Sequence, residues 1–468
     1  MLKIKQLVIL SIFSIAAVGH SQELWQGQYN SKRILLEKVT ISEGLDSLYL
    51  SSPEHMYKKL PLQQEKKGDS LFLVNENYNI SLKIETILGD LSQDSLRANY
   101  IDYTGIHQVK LISTDSLQSL TFPQHPKGIL PYINKEVTFY SEKTNVTYSG
   151  TLVLPKHKKH YPLVFLLNGS GQQERNYTYA GHQFFTVLAD ALAREGIASF
   201  RMDDRGIGET TGDFEHSTIE DFVQDLEAAK SFIKSQDKID HSFLGIIGHS
   251  EGGVVASIAA SRNKDFEFML SLSGVGVNGL QILDLQNSAI LKSMNIEDSL
   301  VEHHMELYNF LFKTVYNLQE EDSLKLQLEQ AVNNWMQDKD EDLLKSMGLA
   351  NGREKNLIYR FHKEAKKDAY QYMIRYNPKD YLPKIEIPVM VLNGAEDIQV
   401  PAEENVAGFQ KYLSKSTNFA SKIYPNLNHM YQHCHTCIAS EQSELEEVFA
   451  PEVLADITKW IHKVYQTK

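Results

Sequence analysis

Positive charge is in short supply. The 468 residues carry 47 lysines and arginines against 60 aspartates and glutamates, for a formal net charge of −13. That balance argues against nucleic acid or an anionic membrane surface as a partner, because both are bound through an excess of basic side chains. Long apolar runs are missing as well: beyond the N-terminus no stretch approaches the roughly 20 apolar residues a spanning helix requires. Cysteine is scarce, with two in the whole chain, and neither stands near the N-terminus where a lipid could be attached. What is present suffices for a sizeable core, since 42% of the residues are hydrophobic and 10% aromatic. The length predicts two or three domains.

The first residues read as an export signal. Lys3 and Lys5 supply a basic start and Leu7 to Val18 an apolar segment too short to span a bilayer comfortably. Gly19 and Ser21 are the small residues needed before a cut ahead of Gln22. Residues 1–21 are thus predicted to be a signal peptide, and the mature protein to be periplasmic or extracellular and soluble. Residues 22–113 show short alternating runs such as Arg33–Val39, Ser70–Val74 and Tyr78–Ile84, punctuated by Gly44, Gly68 and Gly89. This pattern predicts a small antiparallel β domain, sandwich or barrel-like. It contains no grouping of His, Asp and Glu that chemistry could use, so an accessory role is expected. Pro123, Pro126, Gly128 and Pro131 mark residues 114–134 as a linker.

Residues 135–468 behave differently. After two β-like runs within Glu136–Leu154, apolar strands alternate with helical segments: Leu163–Leu167, Ile197–Met202, Phe243–Ile247, Phe266–Leu272 and Pro388–Leu392 are the strand-like runs. Such alternation predicts a mostly parallel sheet with helices on both faces. His182–Arg194 has helical spacing and stops at Gly196; Ser217 with Glu220 predicts a capping box for the next helix. From about 278 to 384 the sequence is acidic and helical in flavour without strand-like runs, which predicts a helical lid inserted at the C-terminal edge of the sheet. A closing helix is expected from Pro451 to about Tyr465.

The chemistry centres on Gly248-His249-Ser250-Glu251-Gly252-Gly253, set between a strand-like run and the helix-like Val254–Ala260. A strand that turns into a helix within a few residues strains the corner residue and pushes its side chain clear of the sheet, while flanking glycines let the two elements approach. Ser250 is the candidate nucleophile, and the amide of Glu251, at the helix start, is a candidate oxyanion donor. A serine hydroxyl needs a general base and a group that orients it. In an open parallel sheet such groups stand beyond the C-terminal ends of the strands. The segment after Leu392 offers Asp397, with Glu396 as a rival, and the segment after Tyr424 offers His429. The order Ser250, Asp397, His429 matches one known arrangement of hydrolase triads. A second oxyanion amide is expected from Asn168-Gly169-Ser170-Gly171, at Ser170 or Gly171.

On these motifs the chain resembles the α/β-hydrolase superfamily, and within it a group of exported bacterial esterases and peptidase-like proteins. That group shows a Gly-Ser-Gly-Pro-Gln-Asp-Arg loop, an Asp-x-Arg-Gly-x-Gly turn and Gly-His-Ser-x-Gly-Gly. Here the first is Gly169-Ser170-Gly171-Gln172-Gln173-Glu174-Arg175, departing at Gln172 and Glu174. The second is Asp203-Asp204-Arg205-Gly206-Ile207-Gly208, and the third matches in full. The likeness covers about residues 136–466. It implies an α/β-hydrolase fold preceded by the small β domain, cleavage of a carboxylic ester with amide or thioester as alternatives, and no metal or organic cofactor. Asp204 and Arg205 are read as a salt-bridged scaffold; Arg175 could bind a substrate carboxylate or hold its loop.

Both cysteines fall in His433-Cys434-His435-Thr436-Cys437. Close spacing in an exported chain points to a Cys434–Cys437 disulfide, with incidental thiols, a redox pair or a zinc site as alternatives; the zinc reading would compete for His429. The leading expectation is an exported serine esterase acting on a small acyl ester. An aminopeptidase or amidase, with lid acids such as Glu302, Glu306, Glu320 and Glu321 holding a substrate amine, is the second. A non-catalytic protein whose β domain binds a glycan or a partner is the third. Oligomeric state is not legible.

Overall fold

The computed structural model describes residues 21–467, apart from 30–31, 43–44, 53–56, 68–69, 76–79, 86–94, 103–104, 115–120, 157–159, 295 and 440. Residues 1–20, most of the segment read as an export signal, lie outside the described residues; Ser21 is the first residue of a strand. The chain forms two units that divide between residues 119 and 120.

The first unit is a closed antiparallel barrel of β1 (Ser21–Tyr29), β2 (Lys32–Ser42), β3 (Leu45–Ser52), β4 (Tyr57–Lys67), β5 (Ser70–Asn75), β6 (Ile80–Glu85), β7 (Ser95–Asp102) and β8 (Gly105–Thr114), each paired with the next. β1 returns to β8 through Leu24–Thr114 to Gln26–Ile112, which closes the barrel and leaves no free edge. Alternation sets the faces. In β5, Leu71 and Leu73 are buried while Ser70 and Phe72 are not, and inward-facing Trp25, Leu36, Leu50, Leu82, Tyr100 and Leu111 fill the interior.

The second unit opens with residues 121–131, which are irregular but not loose as a linker would be. Gln124 accepts from the amides of Val448 and Phe449, and Phe122 packs on the rings of His125 and His182. The sheet then builds from β9 (Tyr132–Ser141), β10 (Val146–Pro155), β11 (Tyr161–Leu167), β14 (Ala198–Met202), β15 (Ile239–His249), β16 (Phe266–Leu272), β17 (Val389–Gly394) and β18 (Phe419–Tyr424). A two-residue ribbon, β12 (Thr178–Tyr179) with β13 (His182–Gln183), lies apart from it. The sheet order is β18-β17-β16-β15-β11-β14-β10-β9. β9 and β10 pair antiparallel, as do β10 and β14; every other pairing is parallel.

Apolar residues occupy both faces of the central strands. Leu163 and Phe165 of β11 pack with α2 (Ile219–Ile233), α3 (Glu251–Arg262) and α10 (Ala402–Tyr412). Val164 and Leu166 pack on the other side with α1 (Phe184–Arg194) and α11 (Pro451–Gln466). This two-sided burial is why the strands read as unbroken apolar runs. α1 begins at Phe184 because His182 belongs to the ribbon, and it ends before Gly196, which has φ of 75°. α2 is capped one residue later than the sequence predicts. Thr218 and Asp221 form the box, because the Ser217 hydroxyl donates to the Asp213 carbonyl instead.

Between β16 and β17 lie α4 (Gly279–Ser293), α5 (Asp298–Tyr316), α6 (Leu324–Met336), α7 (Glu341–Ser346), α8 (Glu354–Ala365) and α9 (Asp368–Arg375). These helices bury a core of their own around Leu307, Leu311, Leu328, Val332 and Trp335. No helix among the described residues is long and apolar enough to cross a membrane.

Candidate active site

Ser250 stands between the last residue of β15 and the first of α3, with φ 54° and ψ −120°. A side chain in this region is strained, and the strain is held by bonds on both sides: Ser250 N donates to Leu272 O at 2.9 Å and Gly253 N to Ser250 O at 2.9 Å. The glycines are required by crowding. A Cβ on Gly252 would lie 2.5 Å from the Asn168 carbonyl oxygen and 2.9 Å from the Leu167 carbonyl carbon. Alanine normally stabilises a helix by about 1 kcal/mol over glycine; here the sign reverses. Gly252→Ala is expected to lower stability by about 2 kcal/mol, read from urea unfolding. A variant more stable than the parent would mean that α3 and the loop after β11 are not in this contact.

The candidate base follows β18. His429 Nδ1 is 2.8 Å from Asp397 Oδ2, and both side chains are buried. Asp397 Oδ1 accepts from the amides of Gln399 and Val400 at 2.9 and 2.8 Å, so both carboxylate oxygens are engaged. The rival acid, Glu396, is exposed. An ionised Asp397 accepting at Nδ1 assigns the proton to that nitrogen and leaves Nε2 free to accept one. The His429 turn is built by Asn428, whose Oδ1 accepts from Met430 N and Gln432 N, and by Tyr431, whose hydroxyl donates to Leu392 O. From α4, Gln286 donates to Gln399 O at 3.0 Å, which ties the helical insertion to the Asp397 loop.

His249 joins these parts, and the sequence reading passed over it. Its Nε2 lies 3.0 Å from His429 O and its Nδ1 3.1 Å from the Tyr177 hydroxyl, and the two imidazole rings are 4.6 Å apart. Burial, then the neighbouring His429, holds its pKa well below 6.5. The ring is therefore neutral, donating from Nε2 to a carbonyl and accepting at Nδ1 from a phenol. The residue before Ser250, the candidate nucleophile, thus pins the backbone of His429, the candidate base. Its only sequence signal was a position inside the Gly-x-Ser-x-Gly motif.

The loop after β11 runs alongside. A Cβ placed on Gly169 would come within 3.2 Å of Ser250 Cβ; Ser170 is exposed, and Gly171 has φ of 84°. Asp204 holds this loop: its Oδ1 accepts from Asn168 Nδ2 at 3.0 Å, its Oδ2 from Gln173 N at 2.7 Å, and its own amide donates to Gln173 O at 3.0 Å. Asp204 and Glu251 line one recess of about 50 Å³. Burial raises Asp204 to about 7 against those two hydrogen bonds, with the charges of Asp225 and Asp203 adding to the rise. Glu251 is likewise raised to about 7, by burial and then by Asp204.

Two arginines turn out to be structural. Arg175 spends its donors on Asp203, Glu136 and Ser149, which leaves it holding its loop rather than facing a substrate. Arg205 forks onto Asp225 at 2.7 and 2.9 Å and reaches Asp221 at 3.2 Å. Because Asp225 is 6% exposed, Arg205→Ala would strand its charge and is expected to cost about 3 kcal/mol. A loss under about 1 kcal/mol on urea unfolding would show that the turn is held by other means.

Cys434 and Cys437 form a disulfide. Within its loop, Glu441 accepts from the amides of His435, Thr436 and Cys437. Both sulfurs are consumed and His429 is paired with Asp397, so the zinc alternative lacks its thiolates and one of its imidazoles. His433 is bonded to Glu447 and Glu452.

An eight-stranded, mostly parallel sheet with its third and fourth strands interchanged, helices on both faces and a strand–serine–helix corner defines an α/β hydrolase. The second unit thus has the α/β-hydrolase fold, and the chain is similar to proteins of that superfamily. The serine aminopeptidase family S33 (Hydrolase_4) matches residues 179–320, a span that includes Ser250 but stops before Asp397 and His429. Esterase EstD of Thermotoga maritima is 28% identical over 130 residues, which cover 26% of this chain and 30% of that protein. Among solved structures, a Pyrococcus furiosus esterase, Pf2001, aligns with a TM-score of 0.42 at 15% identity over 74% of this chain and 98% of its own. Est1E of Butyrivibrio proteoclasticus aligns with a TM-score of 0.41 at 16% identity over 71% and 99%.

Proposed function

We propose that this chain is an exported serine hydrolase that cleaves a carboxylic ester through an acyl-enzyme. Ser250 is the nucleophile, His429 the general base and acid, and Asp397 the residue that orients His429. The observation that carries the reading is the buried His429–Asp397 pair at 2.8 Å, tethered through His249 to the corner that bears Ser250. His429 Nε2 takes the Ser250 proton as Oγ adds to the acyl carbon, and the imidazolium that forms is stabilised by Asp397. The amides of Glu251 and of Ser170 or Gly171 receive the oxyanion. Collapse breaks the ester bond, His429 returns its proton to the departing alkoxide, and water activated by the same nitrogen releases the acid.

Similarity to an esterase and to the S33 family favours ester or peptide bonds as substrates. The family match keeps an aminopeptidase as a second reading. Of the acids expected to hold a substrate amine, Glu306 is already paired with Lys339. The deciding experiment sets p-nitrophenyl acetate and butyrate against aminoacyl nitroanilides, with fluorophosphonate labelling of the same preparation. Ester turnover with labelling at Ser250 is expected. Nitroanilide cleavage without ester cleavage would favour the aminopeptidase. No labelling and no turnover would leave a binding protein as the better account.

A further inference from the structure

We propose that Asp204 is a positioning residue for this reaction: its carboxylate clamps both ends of the loop Asn168–Gln173 and so sets where that loop's amide stands beside Ser250. The inference rests on the reading of Ser250 as nucleophile.

The loop has little else to hold its shape. Ser170 is exposed, Gly171 adopts a left-handed conformation, and the Gln173 side chain reaches Ser170 O only at 3.4 Å on the surface. Apart from a backbone hydrogen bond between Gly169 and the Tyr177 hydroxyl, the firm contacts lead to one turn, residues 203–206. Asp204 makes its three bonds to Asn168 and Gln173, and Gln172 Nε2 donates to Arg205 O at 2.7 Å. That turn is anchored in its own right, by Arg205 on α2 and by Asp203 on Arg175. A path of short contacts therefore runs from α2 through Asp204 to the loop, whose Gly169 lies against Ser250.

Two acceptors are needed at this point, since an amide N–H arrives from Gln173 and a side-chain N–H from Asn168. A carboxylate supplies both. A side-chain amide in its place would supply one acceptor and one donor. The Asn168 side-chain oxygen, Oδ1, is buried and without a partner, so turning the Asn168 side chain over would let that oxygen accept from the new donor. Asp204→Asn can thus rebuild both bonds without the charge, whereas Asp204→Ala can rebuild neither.

The clamp also titrates. The charged and titratable groups facing Asp204 are Asp203 and Arg205 on its own turn, Asp225 of α2, Glu251 of α3, and Tyr177 beyond the loop. With its carboxyl raised to about 7, Asp204 takes up a proton below that pH; like the Asn variant, the neutral acid can still make both bonds once Asn168 turns over, but without the charge that strengthens them. The hold on the amide weakens as the pH falls through about 7. Removing the Glu251 charge would ease ionisation of Asp204 and move this effect to lower pH.

The test is kcat and KM for p-nitrophenyl acetate from pH 5 to 9, on the parent, Asp204→Ala, Asp204→Asn and Glu251→Gln, with melting temperatures alongside. Asp204→Ala is expected to lose about 10²-fold in kcat, the scale of losing one oxyanion donor, with KM within about threefold. Asp204→Asn should recover most of that loss and drop the component near pH 7 from its acidic limb, and Glu251→Gln should shift that component downward. Wild-type kcat in Asp204→Ala overturns the proposal. So does an effect confined to KM, or an Asp204→Asn variant that melts like the parent yet is as impaired as the Asp204→Ala one. Acidic limbs identical to the parent's in both Asp204→Asn and Glu251→Gln overturn the coupling to protonation. Should Asp204→Ala fail to fold, the Asp204→Asn and Glu251→Gln variants still decide. If the parent shows no Ser250-dependent turnover, the nucleophile reading has failed, and not the clamp alone.

Discussion

Ser250→Ala is expected to cut ester turnover by about 10⁴- to 10⁶-fold, the range over which hydrolases lose rate when the nucleophile is deleted. The substitution removes one oxygen. The backbone at position 250 would stay in its strained conformation, because the bonds that hold it, from Ser250 N to Leu272 O and from Gly253 N to Ser250 O, are main-chain bonds. Stability should therefore change little, and a matched melting temperature would separate lost chemistry from lost structure. Residual catalysis of about 10³-fold over water is compatible with this scheme, since the oxyanion amides and the binding surface remain. Turnover within tenfold of the parent would remove Ser250 from the mechanism.

Asp397→Asn is expected to lower kcat by about 10⁴-fold while leaving the fold intact. The amide oxygen can keep the bonds from Gln399 N and Val400 N, made at present to Oδ1 at 2.9 and 2.8 Å. The amide nitrogen then faces His429 Nδ1, where Asp397 Oδ2 now sits at 2.8 Å. A donor opposite a donor repels, so the imidazole places its proton on Nε2, where it can no longer accept from Ser250. The loss is one of tautomer rather than of geometry. Glu396→Gln is the control and should keep kcat within about twofold, as that side chain is exposed. Equal activity of the two variants would take Asp397 out of its assigned role.

Much of the second unit was open to reading because its signals are local. The run Leu163–Leu167 is apolar throughout because alternate residues enter opposite cores, and no distant residue is needed to see that. The barrel was harder. Short alternating strands look the same in a sandwich, and only pairing between β1 and β8 at the two ends of the unit closes it. In β4 the second half, Gln63–Lys67, is wholly polar and carries no alternation to read. The capping box slipped by one residue because Ser217 and Thr218 compete for the same duty, and a bond to Asp213 decides between them.

By itself the sequence determined where strands must become helices, which serine stands at such a corner, and in what order an acid and an imidazole follow it. Those features rest on periodicity and turn chemistry, which operate over a few residues. Only the tertiary structure decided that Asp397 rather than Glu396 meets His429, that His249 and Tyr177 bond across 72 residues of chain, and that Asp204 grips the loop beside Ser250. Such choices depend on which side chains are buried face to face, and burial is set by how the whole sheet and its helices pack.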